Sequence, residues 1–178
     1  MNFMLKVQLQ IVWVTIILSA TPASAEMPTA IDVSDGTVLL TVHAVGAQIY
    51  ECKPAPIDRD PSHGGAPTWQ FREPIATLTV DGKTIGRHYA GPNWDHVDGT
   101  GVKGKTVASV PGATPDDIPW LKLDIVDHRG DGILSGATTV QRINTRGGTL
   151  LGQCERAGTY RSVPYSADYV FLRGKNQR

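Results

Sequence analysis

Apolar and polar residues alternate in short segments along most of this chain. In the segment 120–126, the apolar residues Leu121, Leu123 and Ile125 occupy alternate positions, with charged side chains between them. This is the pattern of a strand with one face in a core and the other in water. After position 25, no window of 11 or more residues shows the 3.6-residue apolar period of a helix. The pattern therefore predicts an all-β domain.

Turn residues divide the chain into short strands. The clearest hairpin signal is Asp81-Gly82, because these residue types supply the positive φ angles that a two-residue type I′ turn requires. We expect nine or ten short antiparallel strands in a single-domain sandwich or small barrel, and the pattern leaves that choice open. They are placed at 38–43, 48–52, 68–72, 76–80, 83–89, 105–110, 120–127, 133–143, 149–154 and 168–173.

The first 25 residues have the organisation of a secretory signal. A start carrying Lys6 is followed by an apolar run over 9–18 and by Ala23-Ser24-Ala25, a small-x-small cleavage site. About ten apolar residues are too few to cross a bilayer, which needs about 20. We therefore predict cleavage near Ala25, no membrane insertion afterwards, and one domain over 26–178 in the periplasm or outside the cell.

Charge and cysteine content narrow the partners and the compartment. Loss of Lys6 with the signal leaves 16 basic against 17 acidic side chains, a formal charge of −1, so the domain has no field to attract nucleic acid. The two cysteines, Cys52 and Cys154, are an even number in a chain sent to an oxidising compartment. A disulfide between them is therefore favoured over two buried free thiols.

Six segments together resemble one known family. They read GAQIYEC at 46–52, WQFREPIATL at 69–78, GRHYAGPNW at 86–94, IPWLKL at 118–123, QRINTRGG at 141–148 and VPYSADYVF at 163–171. This set is similar to the family of domains of unknown function numbered 3455. The resemblance implies an exported protein of bacteria or fungi without an established reaction, although fungal members sometimes carry a malate dehydrogenase label.

The residues do not support that dehydrogenase label. A nicotinamide enzyme needs a glycine-rich turn between a strand and a helix, whose amides hold the pyrophosphate. Gly99, Gly101 and Gly104 match the spacing, but Pro111 follows too soon for a helix. We interpret this segment as a turn entering a strand and predict no cofactor.

A metal-assisted or carboxylate-dependent hydrolase of the cell envelope is one alternative function. His88 and His96, with Asp95 or Asp98, could form a zinc site with an open position if a loop folded them together. Structural or exposed histidines are favoured over this site because the ligands are scattered. Glu51 and Glu73 could form a pair of facing carboxylates, although surface ion pairing explains them equally well.

The leading hypothesis is a small organic ligand held by aromatic and polar side chains. His88 and Trp94 flank the turn at 90–92, where side chains can point into a mouth. With Trp69 and Arg142 they are our candidate ligand contacts, although core packing is the favoured role for Trp69 and an equally simple one for His88 and Trp94. A purely structural module of the envelope is the third hypothesis. An aromatic pocket would favour binding, and convergence of His88, His96 and an acid would favour an enzyme.

Overall fold

The computed structural model describes residues 27–54 and 65–174, so the predicted signal over 1–25 lies outside the described residues. Within them the chain forms a 3-10 turn and eight β-strands, and no helix there is long and apolar enough to cross a membrane. The elements are the turn Thr29–Ile31 and strands β1 Thr37–Lys53, β2 Thr68–Val80, β3 Lys83–Tyr89, β4 Asn93–His96, β5 Gly101–Val110, β6 Trp120–Arg129, β7 Thr139–Gly147 and β8 Tyr160–Arg173.

The eight strands close into one antiparallel barrel. Each strand pairs with the next along the chain, and β8 returns to pair with β1 over most of its length. The all-β prediction is confirmed, and the barrel is the alternative that forms. The predicted hairpin is also present, since Asp81 and Gly82 both have positive φ, at 48° and 74°. Closure pairs both edges of the sheet and leaves no open edge strand among the described strands.

The strands are fewer and longer than the turn residues indicate. Segments 38–43 and 48–52 are one continuous strand, β1, because Gly46 bends the strand without ending it. A Cβ atom at Gly46 would overlap the carbonyl oxygen of Ile75 and the Cα of Ala76, so the glycine allows β1 and β2 to approach closely. Segments 68–72 and 76–80 are likewise continuous in β2.

Two segments differ from the prediction in type. Residues 149–154 form a connection with one isolated bridge, Gln153 to Thr68, and residues 133–138 form turns that precede β7. The short strand β4 has too few residues to show an alternating pattern. The glycines at 101 and 104 lie in β5, which agrees with their interpretation as a turn entering a strand.

The core fills the barrel interior. Val42, Leu78 and Phe171 are almost fully buried there. Leu123 is buried, and Leu121 and Ile125 pack against the core, as the alternation over 120–126 predicts. Outside the barrel wall, Gln141 donates a hydrogen bond from Nε2 to the carbonyl oxygen of Ile31 at 2.7 Å, which fixes the N-terminal turn to β7.

A disulfide joins Cys52 to Cys154, as predicted. Cys52 lies near the end of β1 and Cys154 in the connection between β7 and β8. The backbone around the bridge is also hydrogen bonded, since the amide of Cys52 donates to the carbonyl of Thr159 at 2.9 Å and that of Cys154 donates to Pro67 at 2.8 Å. The bridge therefore fixes the β7–β8 connection against one end of the barrel.

Candidate functional site

A cavity of about 360 Å³ opens at the same end of the barrel. Side chains from all eight strands line it, so its shape is set by the closed sheet. Phe71 and Thr106 are exposed near its opening, whereas His88, Trp94 and Tyr169 are almost completely buried in its interior. Its volume falls within the range of pockets that bind small organic molecules.

Three stacked or tilted rings form what we call the aromatic wall: His88, Trp94 and Tyr169. The rings of His88 and Trp94 are stacked, with centroids 4.5 Å apart and planes at 11°, while Tyr169 lies 5.0 Å from His88 and 5.4 Å from Trp94. Strand register creates the stack, because His88 of β3 lies directly opposite Trp94 of β4. Gly104 makes room for the indole, since a Cβ there would lie 3.0 Å from the Trp94 ring.

His88 is a neutral imidazole in the folded protein. Burial lowers its pKa to about 3, although the hydrogen bond to Asn93 acts in the opposite direction and Arg142 adds a small further decrease. Nδ1 lies 2.8 Å from the carbonyl oxygen of Asn93. A carbonyl can only accept, so Nδ1 carries the proton and Nε2 is an acceptor.

Two buried donors in the cavity lining have no acceptor among the described residues. They are Gln48 Nε2 and the indole Nε1 of Trp94, on side chains that are 2% and 1% exposed. An unsatisfied buried donor costs about 1–3 kcal/mol. Such donors occur where a ligand group or a bound water completes the hydrogen bonding.

Arg142 supplies positive charge to the cavity lining. Its Nε and Nη2 atoms both donate to the carbonyl oxygen of Pro119, at 3.0 and 2.8 Å. Arg142 lies between Leu121 of β6 and Tyr169 of β8 in the strand register, and this places it beside the aromatic wall. Its charge favours the ionised forms of Tyr50 and Tyr169, but burial dominates and raises the pKa of both phenols. Both tyrosines are therefore protonated at neutral pH.

Tyr50 and Phe71 also line the cavity. Their rings meet edge to face, with centroids 5.9 Å apart. The Tyr50 hydroxyl donates to the carbonyl oxygen of Gly148 at 2.7 Å, so this ring is held in place from the β7–β8 connection. These two rings add to the aromatic surface of the cavity, which suits contact with a planar apolar group.

Three of the four sequence-predicted contacts come together in this cavity: His88, Trp94 and Arg142. Trp69 lies outside it. The register pairs Trp69 with Cys52 at the disulfide end of β1, and its ring instead lies 5.6 Å from the guanidinium of Arg161. Its position beyond Tyr50 along the β1–β2 ladder is what separates it from the other candidates.

The structure does not bring the candidate metal ligands together. His96 Nδ1 lies 2.9 Å from Asp98 Oδ1, but His88 binds Asn93 inside the barrel. The carboxylate of Asp98 accepts hydrogen bonds from Thr100 and from the backbone amide of Ile133, and these lower its pKa. In the part of the chain that the structure describes, no three His, Cys, Asp or Glu side chains form a group able to hold a metal ion.

The two glutamates considered as a catalytic pair are each engaged locally. Glu51 lies 3.9 Å from the ammonium group of Lys53, and Glu73 lies 3.1 Å from Nε of Arg72. Neither glutamate lines the cavity, and the described residues that line it include no carboxylate.

The four candidate contacts leave out several residues that line the cavity: Gln48, Tyr50, Phe71, Thr106 and Tyr169. One signal was available in β1, where Gln48, Tyr50 and Cys52 occupy alternate positions, so a polar side chain shares the inward face. A glutamine on an inward face indicates a hydrogen-bonding role inside the barrel. No comparable signal distinguishes Tyr169 from a core tyrosine.

These features define a class of protein: a closed antiparallel barrel with an aromatic, acid-free cavity at one end. The chain belongs to the family described as "Protein of unknown function (DUF3455)", whose model matches residues 33–173. This confirms the resemblance drawn from the six sequence segments. Comparison with curated proteins gives no match, and comparison with solved structures gives none either.

Proposed function

We propose that this protein is an exported binding protein that holds one small organic molecule in the barrel cavity. The observation that carries the proposal is the cavity itself, about 360 Å³ in volume and lined by aromatic rings. Buried rings with a few directed polar groups are typical of sites that bind planar organic ligands. The neutral acceptor of His88 and the donor of Gln48 would orient such a molecule.

Binding is favoured over hydrolysis by what surrounds His88. A hydrolase of the kind considered above needs His88 to act with His96 and an acid, or two facing carboxylates. His88 instead faces Trp94 and Tyr169, and no acidic side chain within 27–54 or 65–174 lines the cavity. Its pKa of about 3 also makes it a weak base at neutral pH.

Export is part of the proposal. The Cys52–Cys154 disulfide is typical of proteins in oxidising compartments, and the sequence over 1–25 has the features of a cleaved signal. Both support a location in the periplasm or outside the cell. Mass spectrometry of the protein purified from its native host would show a chain beginning near Glu26, and an intact N-terminus would contradict export.

Blocking the cavity provides the test of binding. Thr106 is exposed and borders the opening, so Thr106→Trp should obstruct entry at little cost in stability. Val107→Trp is the matched control, because Val107 is exposed on the same strand and does not line the cavity. Thermal shifts of both variants and the mature wild type are measured against panels of aromatic acids, sugars, lipids and metal ions.

We expect at least one organic class to raise the Tm of the wild type and of Val107→Trp, with the shift lost in Thr106→Trp. Silence across every panel would contradict the proposal. Equal shifts in Thr106→Trp and the wild type would place binding outside the cavity and would also overturn it.

A further inference from the structure

The charged side chains that line the cavity are all positive among the described residues. Among the residues that the structure describes, two arginines border it, Arg72 and Arg142, and no aspartate or glutamate does. Arg72 is compensated at the opening, because its Nε lies 3.1 Å from Glu73 and its guanidinium lies 5.0 Å from the centre of the Tyr160 ring. Arg142 is the cation that lies beside the buried aromatic wall.

Arg142 has no carboxylate partner among the described residues. Its guanidinium donates through Nε and Nη2 to the carbonyl of Pro119 on one side, and it also hydrogen bonds to the hydroxyl of Tyr169. A guanidinium carries five N–H donors in a fixed planar arrangement. The Pro119 contact therefore fixes the plane of the group and leaves further donors for another acceptor.

The titratable side chains beside Arg142 carry no negative charge that could pair with its guanidinium. His88 is neutral, and Tyr50 and Tyr169 are protonated because burial raises their pKa. Gln48 adds an unpartnered donor on a side chain that is 2% exposed. Positive charge and spare donors thus face a cavity to which the described residues contribute no anion.

We propose that the ligand is a small aromatic carboxylate, an inference that rests on the proposed ligand-binding function. Its carboxylate pairs with the guanidinium of Arg142, and its ring packs against the aromatic rings that line the cavity. Arginine suits this role because its planar donors match the two oxygens of a carboxylate. The Nε2 acceptor of His88 favours a ligand that also carries a hydroxyl or N–H group on its ring.

Matched acids and amides test the charge requirement directly. Isothermal titration of the mature protein uses 4-hydroxybenzoate against 4-hydroxybenzamide, and indole-3-acetate against indole-3-acetamide. Each pair has the same ring and nearly the same shape, so a difference reports the carboxylate. We expect at least one acid to bind at least about tenfold more tightly than its amide, since hydrogen bonds to charged groups contribute about 1.5–3 kcal/mol.

Variants then assign the effect to Arg142. Arg142→Gln should remove the preference for the acid, and Arg142→Lys should restore part of it, because lysine keeps the charge without the planar fork. Arg161→Gln is the matched control, since it removes one cation from an exposed position outside the cavity. The acid and amide comparison on the wild type remains decisive if Arg142→Gln does not fold.

The outcomes separate this inference from the proposed function. If acids and amides bind equally and Thr106→Trp blocks both, the carboxylate inference is overturned and cavity binding stands. If none of the four compounds binds, the aromatic-carboxylate class is overturned, and the wider panel alone decides whether the cavity binds a ligand. An acid preference that Arg142→Gln leaves unchanged would also overturn the assignment to Arg142.

Discussion

His88 combines full burial with a titratable ring, and this makes it sensitive to pH. The imidazole is 2% exposed, is stacked on Trp94 and donates to the carbonyl of Asn93. Water is therefore excluded from the ring, and desolvation is the main cause of its low pKa. In the unfolded chain the same ring would titrate near its ordinary value of 6.5.

This difference predicts a loss of stability in acid. Because the pKa of His88 is lower in the folded state, protonation of this ring does not affect the free energy of unfolding above pH 6.5. As the pH falls from 6.5 towards 3, the unfolded chain takes up the proton and the free energy of unfolding decreases. At about 1.4 kcal/mol per pKa unit, the whole window corresponds to roughly 5 kcal/mol. His88→Phe keeps a ring against Trp94 but cannot titrate. Urea unfolding between pH 7 and pH 4 should therefore show a smaller decline for His88→Phe than for the wild type.

His43→Gln is the control for this measurement, because His43 is half exposed and pairs with Asp168 at the surface. It should keep the wild-type slope of unfolding free energy against pH. An equal slope in His88→Phe and the wild type would mean that His88 is not held neutral by burial.

At the scale of single residues, the sequence identified the cavity in part. His88, Trp94 and Arg142 could be predicted because they lie in long family-like segments near a turn, where side chains reach a barrel opening. Trp69 could not be excluded, since its position relative to Tyr50 depends on the β1–β2 register. That register includes a bulge between Ile49 and Tyr50, which a sequence pattern does not reveal.

Glycines control how the longest strands of the barrel meet. Gly46 lies opposite Ala76 of β2 and Tyr165 of β8, so its backbone is in contact with both neighbours of β1. The sequence predicted a turn at this glycine, since glycine is a frequent turn residue. The barrel instead uses the missing Cβ for close approach of strands, and this is why two predicted strands are one.

Gly46→Ala should therefore destabilise the barrel. Its Cβ would meet backbone atoms of Ile75 and Ala76, which cannot move as a flexible side chain would, and overpacking of this kind costs about 1–3 kcal/mol or more. Gly174→Ala is the matched control, because the nearest atom to its Cβ would be Thr138 Oγ1 at 3.5 Å, an ordinary contact. Urea unfolding should show a large loss for Gly46→Ala and a change within about 0.5 kcal/mol for Gly174→Ala. Equal losses would show that close approach at Gly46 is not required.

At the level of strands and turns, the sequence pattern correctly predicted the features that depend on residues close together in the chain. The Asp81-Gly82 hairpin and the alternation in β6 depend on neighbouring residues and were predicted correctly. The extension of β8 back to Tyr160 depends on pairing with β1, more than 100 residues away in sequence. Such long-range pairing overrides local strand preference, which depends strongly on context.

Across the whole molecule, two constraints act on the same end of the barrel. Pairing of β1 with β8 closes the sheet, and the disulfide joins β1 to the β7–β8 connection across a separation of 102 residues. That connection also accepts the hydrogen bond from Tyr50 at Gly148. The bridge and the Tyr50 hydrogen bond therefore both hold the β7–β8 connection against β1.

Removal of the disulfide should lower stability and preserve the barrel. For the double variant Cys52→Ala with Cys154→Ala, we expect a loss of about 2–5 kcal/mol in unfolding free energy, because a closed loop of about 100 residues restricts the unfolded chain strongly. Far-ultraviolet circular dichroism should stay unchanged. Treating the wild type with reductant should reproduce the loss, and the same reductant should leave the double variant unaffected. A loss below about 0.5 kcal/mol would mean that strand pairing alone holds this end of the barrel, and a lost β spectrum would mean that closure itself depends on the bridge.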